Sequence, residues 1–517
     1  MNTDRECPAS RQLSEEGRIS AENSSSSVIA AERAFPSRRF FNWAVIILLG
    51  YFGLQLLFFA ISIAPFVPPD EATHFGCCTI FSKEFFLPDN SPESYQYGLI
   101  TNIPWLYYWS MGKLLHVNFF GIPDLLFLRL LNIPLAFGTV FYVCRTLRLL
   151  TDDRLSRLLL LVAMTNTLMF SFLSAAVSYD NLANLLAAMA VYYLLAFFKN
   201  RSGSLLAFSL LCQLAGGLTK SSFLPLVLVL NVLLCLHEVG NIRELPAELL
   251  SWFHGAGRRG LWLLFAILVG TGLNIQLYAG NYLSYGSLAP EIADVLPMKA
   301  AMQNRLAARE IIFRLFKNGQ VTKEQALAMT GQISNTSDRE DTAILIENHD
   351  YVMNSGVRMF GLPAYSKLWG YNIMLTVFGI KCHEGLLYDD VRVIVPFVGL
   401  FLLSALGFMR RWRPGREGWL PPCMAVIGAF YALFLLYFVC YKAYLYYEQP
   451  GIALQGRYIF PVIGPIYVLA ICYLMRLFSN RYVRLSVAVA TALMFMAANI
   501  PLFFSHVTPQ WFDFPAG

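Results

Sequence analysis

Charge is what this sequence has little of. Of its 517 residues only 14% are Asp, Glu, Lys or Arg, while 56% are hydrophobic. A soluble domain carries roughly 25% charged residues, so a water-facing globular surface is excluded for most of the chain. Other absences narrow the function. There is no G-x-x-x-x-G-K-S/T phosphate loop, which excludes a pump driven by a nucleotide domain within this chain. There is no G-x-S-x-G elbow of a serine hydrolase. The ten cysteines make no C-x-x-C pair and no Cys/His metal spacing, so a zinc fold is not expected. Most sit in apolar runs as small hydrophobes, and Cys77 and Cys78 are adjacent outside them. No compact basic domain or reader motif points to nucleic acid. No internal repeat of the kind found in inverted-repeat transporters is visible.

What is there in abundance is apolar runs of roughly 20 residues, each long enough for a hydrocarbon core of about 30 Å. We place spans near 42–64, 125–148, 156–176, 179–198, 203–219, 221–237, 260–283, 391–409, 420–441, 458–477 and 483–505. The expected fold class is therefore an all-α polytopic membrane protein with about eleven transmembrane helices. The formal charge of +6 reads as orientation. Arg33, Arg38 and Arg39 precede the first span, which puts the N-terminus in the cytoplasm. Arg145, Arg148, Arg154 and Arg157, then Lys199 and Arg201, then Arg243, Arg258 and Arg259 follow on the same side. Arg410, Arg411, Arg413 and Arg416, and finally Arg476, Arg481 and Arg484, complete the register.

This register requires residues 100–117, with Trp105, Trp109, Lys113 and His116, to be an interfacial helix and not a span. The organisation that results is a polar, Ser-rich cytoplasmic tail at 1–41, read as disordered and not as a signal peptide. An N-terminal membrane module at 42–283 carries a first outer loop at 65–124. A helical extracytoplasmic segment at 284–390, a C-terminal membrane module at 391–505 and an outer tail at 506–517 follow. Within the outer segment, Thr322 with Gln325 and Ser337 with Glu340 have capping-box spacing. Residues 298–317 and 338–354 read as amphipathic helices, the second stopped by Gly356.

Four constellations could carry chemistry, all at span ends on the outer side. Pro68-Pro69-Asp70-Glu71-Ala72-Thr73-His74 leaves the first span. Two carboxylates beside lipid are costly and tend to be functional there, and a carboxylate can take a proton from an acceptor hydroxyl. Neighbours in sequence, Asp70 and Glu71 cannot point the same way, whereas His74 lies one helical turn after Asp70. The plainer reading is an acidic helix N-terminus. Ser178-Tyr179-Asp180-Asn181 opens the fourth span, placing Asp180 at the depth of Asp70, or else simply capping the helix. Lys220, in Gly216-Gly217-Leu218-Thr219-Lys220, and Arg457, in Gln455-Gly456-Arg457-Tyr458, are cations opposite to the positive-inside bias. Such cations suit a phosphate or snorkel to lipid headgroups. The run Tyr441, Tyr444, Tyr446, Tyr447 and Glu448 offers rings for a sugar, or an interfacial aromatic belt. Asn281-Tyr282-Leu283-Ser284-Tyr285-Gly286 ends the seventh span in a turn.

In this order the motifs resemble a family of bacterial membrane proteins in the GT-C glycosyltransferase superfamily. The resemblance rests on P-P-D-E-x-x-H followed by Phe75, on Ser178-Tyr179-Asp180-Asn181, on Lys220, and on Gln455 to Pro461. It covers most of residues 40–480. Ala72 departs from it where proline is usual, and Phe378-Gly379-Ile380 departs where Phe-Gly-Trp is common. The resemblance implies a polyprenyl-phosphate sugar donor and an acceptor that is a glycan, a lipid or a protein. It implies an extracytoplasmic site in a bacterial inner membrane. Asp70 would be the base, or Glu71 in its place, with Asp180 assisting. Lys220 and Arg457 would hold the carrier phosphate, with His74, Gln455 and Tyr458 lining the substrate. Some members use a divalent metal, Mg or Mn, and no ligand set is assigned here. The competing expectations are a transporter or flippase of lipid-linked glycans, a glycan polymerase or ligase of related fold, and a non-catalytic scaffold.

Overall fold

In lipid the backbone must satisfy its own hydrogen bonds, so apolar runs of this length become helices. The computed structural model, which describes residues 36–240, 243–333, 335–382 and 385–513, shows this. Its main helices begin with α1 (Arg38–Ser62), α2 (Glu71–Lys83), α3 (Leu106–Leu115) and α4 (Asp124–Leu150). Next come α5 (Arg154–Thr165), α6 (Leu168–Ser174), α7 (Tyr179–Asn200), α8 (Gly203–Gly217), α9 (Ser221–His237) and α10 (Gly257–Tyr285). The segment after α10 carries α11 (Arg305–Lys317), α12 (Lys323–Thr330), α13 (Thr336–Ser355) and α14 (Leu362–Phe378). The last four are α15 (Val391–Arg411), α16 (Leu420–Tyr447), α17 (Gly456–Leu477) and α18 (Arg481–His506). A small antiparallel hairpin pairs Lys381 with Leu386 and Cys382 with Gly385.

Eight of these helices are long and apolar enough to cross a membrane: α1, α4, α7, α10, α15, α16, α17 and α18. A ninth crossing is formed if α5 and α6, bent by 61°, count as one. The eleven expected stretches are all helical, but α8 and α9 are shorter than a full span. The bend between α5 and α6 has a polar cause. The Asn166 side chain donates back to the Val162 carbonyl (2.9 Å), and Asn499 donates to Asn166 (3.1 Å). Asn499 also accepts from Gln55 at 2.8 Å. These groups keep the interrupted backbone paired inside the bundle.

Residues 100–117 do not form a span; they hold the ten-residue α3. The first helix starts at Arg38, within the 1–41 stretch expected as tail, while residues 1–35, with Arg33, lie outside the described residues. Thr322 and Gln325 form the expected reciprocal cap of α12. Ser337 and Glu340 do not: Asn335 caps α13, accepting from the Ser337 and Asp338 amides at 2.8 and 3.3 Å. Asn wins because its short side chain reaches both amides one residue before the helix. The helix expected at 298–317 is split, because Asn304 caps α11 and forces a new start. Residues past His506 pack back on the bundle: Trp511 is buried, and its carbonyl accepts from the Ala64 amide at 2.9 Å.

The two ends of the bundle differ in chemistry. At one end arginines and a lysine donate to backbone carbonyls of neighbouring segments. Lys199 donates to Leu149 (3.0 Å), Arg154 to Pro36 (3.0 Å) and Arg411 to Leu477 (3.2 Å), while Arg484 pairs with Asp153 at 2.8 Å. Cations favour helix C-termini for this reason. The opposite end gathers the start of α2, the start of α7, the α8–α9 junction and the start of α17. All four constellations singled out above lie there.

Candidate active site

Pro68 and Pro69 stop α1 from continuing and turn the chain. Asp70 then takes a left-handed conformation, φ 58°, immediately before α2. Such backbone is disfavoured for a non-glycine residue and clusters at functional sites. The turn separates the two neighbouring acids. Asp70 faces α17, where its carboxylate pairs with Arg457. Glu71 faces inward, fully buried, and receives Arg129 of α4 at 2.8 Å (Nε) and 2.5 Å (Nη2). Its oxygens also accept the amides of Val177 and Phe66, each at 3.0 Å. Arg129 in turn donates to the carbonyls of Ala60, Ile63 and Ala64 at 3.1, 2.6 and 3.1 Å. This second pair thus ties the end of α1 to α4 and the start of α7.

Asp180, in the first turn of α7, lies between two cations. One oxygen accepts from Lys220, and the other is 3.6 Å from Arg457. Asp70, Arg457, Asp180 and Lys220 therefore form one alternating chain of charges. Lys220 lies 4.7 Å from the ring centre of Tyr179 and 5.4 Å from that of Tyr458, so each ring face adds to its hold. Arg457 can reach this chain only because residue 456 is glycine. Its amide donates to the Thr376 hydroxyl at 2.7 Å, and a Cβ there would sit 2.5 Å from the Val377 nitrogen. The Q-G-R-Y sequence is thus a close crossing of α17 under the end of α14.

His74 packs its ring 4.4 Å from that of Tyr179, and its Nδ1 shares a hydrogen bond of 2.9 Å with the Tyr108 hydroxyl. Burial pushes its pKa down to about 4, with Asp70 and Asp180 opposing the shift and Arg457 and Lys220 adding to it. The imidazole is therefore neutral at pH 7, and the quartet contributes two charges of each sign. Because the folded value lies below the ordinary 6.5, the unfolded chain takes up the proton first as pH falls. Stability is then lost between pH of about 6.5 and 4, by about 2–4 kcal/mol. The check is the unfolding midpoint of wild type and His74→Gln from pH 7.5 to 5, where the wild type should lose more of its advantage at the acid end.

Exposure separates the two carboxylates. The side chain of Asp70 is 41% exposed and that of Asp180 4%, while Lys220 and Arg457 are at 8% and 3%. Of the two, Asp70 is the acid open to solvent. Among the described residues four polar atoms of this group are buried without a hydrogen-bond partner: His74 Nε2, Asp180 Oδ2, Gln455 Oε1 and Arg457 Nε. Buried polar atoms are nearly always paired, and these four lie around one cluster.

A divalent metal does not fit this donor set. Among the described residues no group of three or more His, Cys, Asp or Glu side chains is arranged so that it could hold a metal ion. Both acids of the quartet already face cations, which a metal would repel.

The structure brings together Asp70, His74, Asp180, Lys220, Arg457 and Tyr458, and holds Gln455 at their edge. It turns Glu71 away from them. The tyrosines at the end of α16 are engaged elsewhere: Tyr446 donates to Glu310 of α11 at 2.8 Å, Tyr447 donates to the same carboxylate, and Tyr444 stacks on Tyr365 at 4.9 Å. Asn281 clasps Asn102 of the first loop, accepting and donating at 3.0 Å. Sequence reasoning missed Arg129 and Tyr108. Arg129 was visible as a lone cation inside an apolar run; Tyr108 was hidden among the aromatics of α3.

Comparison with known proteins adds little. No protein-family model matches the chain, and no curated protein matches it. Among solved structures it is similar to the archaeal oligosaccharyltransferase AglB from Archaeoglobus fulgidus, held with an inhibitory peptide and a dolichol-phosphate. The identity is 13% and the TM-score 0.44, over 93% of this chain and 57% of that one. It is also similar to ArnT from Cupriavidus metallidurans in the apo state, at 12% identity and a TM-score of 0.35, over 84% and 76%. The chain thus spans a little over half of the archaeal protein. At these scores the likeness is distant, and the site is read from its own geometry.

Proposed function

We propose that this protein is a membrane glycosyltransferase of GT-C type, moving a sugar from a polyprenyl-phosphate carrier to a hydroxyl of a glycan, lipid or protein acceptor on the extracytoplasmic face. The observation that carries this reading is the pair of buried cations, Lys220 and Arg457, joined to a partly exposed carboxylate at the end of the bundle opposite the arginine-rich one. The positive-inside rule assigns that end to the outer side.

In the reaction, Lys220 and Arg457 bind the carrier phosphate. Arg457 is at present occupied by Asp70, so an arriving phosphate takes over the arginine and releases the carboxylate. Asp70 then accepts the proton of the acceptor hydroxyl while that hydroxyl's oxygen attacks the anomeric carbon. The bond from that carbon to the phosphate oxygen breaks with inversion, and the electron pair stays on the phosphate. The two cations stabilise the charge gained there. Asp180 acts as a positioning residue, fixing Lys220 and Arg457 relative to each other. Glu71, sealed by Arg129, shapes the turn that presents Asp70.

A transporter of lipid-linked glycans would be expected to carry charge at a broken helix near the bilayer centre, and the break between α5 and α6 is paired by the neutral side chains of Asn166, Asn499 and Gln55. The charged groups described here sit at helix ends, and Arg129 is neutralised by Glu71. A glycan polymerase or ligase would use the same site with a larger donor.

Binding of polyprenyl phosphate tests the reading. Lys220→Gln should weaken it by about 10- to 100-fold, the worth of one charge-assisted hydrogen bond. Uncharged polyprenol of equal length should bind both proteins alike. Equal affinity of the two proteins for polyprenyl phosphate would contradict the assignment.

A further inference from the structure

A cavity of about 630 Å³ opens at the arginine-rich end, remote from the quartet, between α1, α4 and the start of α5. Its polarity runs one way. Arg148, in the last turn of α4, and Arg157, in the first turn of α5, line it at the mouth, whereas Leu49, Phe137 and Val140 line it deeper in the bundle. From Arg148 to Phe137 the slot follows α4 for about 16 Å at 1.5 Å per residue. This matches a headgroup at the mouth and a hydrocarbon chain below it.

Among the described residues neither arginine has a hydrogen-bond or ion-pair partner. The Arg157 guanidinium rests 4.6 Å above the Phe41 ring. Arg148 and Arg154 repel Arg157, and Asp152 attracts it. Neighbouring basic residues at this end are instead committed to backbone carbonyls: Lys199 donates to Leu149 (3.0 Å) and Arg154 to Pro36 (3.0 Å). Among the described residues the mouth therefore carries an excess of positive charge, on the side that the positive-inside rule assigns to the cytoplasm.

We propose that this cavity is a binding site for an anionic phospholipid, its phosphate held by Arg148 and Arg157 and one acyl chain seated between α1 and α4. The inference stands independently of the reaction at the other end.

The test uses the full chain in detergent, with unfolding midpoints measured in phosphatidylglycerol and in phosphatidylcholine of the same acyl chains. Phosphatidylglycerol should raise the midpoint by about 5 °C more than phosphatidylcholine. Arg148→Gln combined with Arg157→Gln should abolish that difference. Ile46→Trp, at an exposed position on the slot wall, should reduce it while leaving both arginines in place. Inorganic phosphate alone should give no protection. Equal protection by the two lipids, an undiminished preference in the double variant, or full protection by phosphate without lipid would each overturn the proposal.

Discussion

Replacing Arg129 by Met should destabilise the protein by about 3–5 kcal/mol, among the largest effects available to a single substitution here. The reason is the completeness of the pair it breaks. Glu71 is at 0% exposure and Arg129 at 4%, and the carboxylate has no route to water when the guanidinium is gone. Three backbone carbonyls near the end of α1 lose their donor in the same step. Glu71→Gln should cost nearly as much, because it leaves the arginine as the buried unpaired charge. The double variant should cost clearly less than the sum of the two, since neither charge is then left alone. It should not recover the wild-type level, because the orphaned carbonyls remain. Unfolding in a lipid-matched detergent measures all three. Single effects below about 1 kcal/mol that add up in the double variant would show that this pair does not hold the turn.

The membrane architecture was legible because hydropathy and the distribution of arginine are signals spread over many residues. Each of the eleven apolar stretches is helical, and Arg154, Arg411, Arg476 and Arg484 of the expected register lie at one end. What hydropathy could not resolve was length. The α8 and α9 helices are apolar throughout but shorter than the other spans, and the break at Asn166 depends on Asn499, more than three hundred residues away. The site was legible to the level of which residues meet. Asp70, Asp180, Lys220 and Arg457 each sat at a span end where plain topology explained them poorly, and they form one chain of charges. The division of labour between Asp70 and Glu71 was not legible. It is decided by Arg129, whose partner could be found only once α1 and α4 were packed together. The outer segment was read least well, because capping by Asn304 and Asn335 competes locally with the longer helical pattern.

Asp70→Asn should lower the rate of sugar transfer by about 10²–10⁴-fold, the usual contribution of a positioned general base. The substitution keeps shape and size, and Asp70 is the most exposed member of the quartet, so the unfolding midpoint should stay close to that of the wild type. Carrier binding should be retained or tightened, because Arg457 no longer has a competing carboxylate. That split between rate and binding distinguishes a base from a structural acid. Asp180→Asn should behave differently, weakening carrier binding as well as turnover, since it loosens both cations.

The most direct test of the account is release of polyprenyl phosphate. Wild type and Asp70→Asn, each purified in lipid, are incubated with a panel of polyprenyl-phosphate sugars and an acceptor mixture from cell membranes. The account predicts release by the wild type with at least one donor, and its collapse in the folded variant. Equal release by the two proteins would remove Asp70 as the base. No release from any donor, together with movement of a lipid-linked glycan across the bilayer of a reconstituted vesicle, would contradict the glycosyltransferase reading itself.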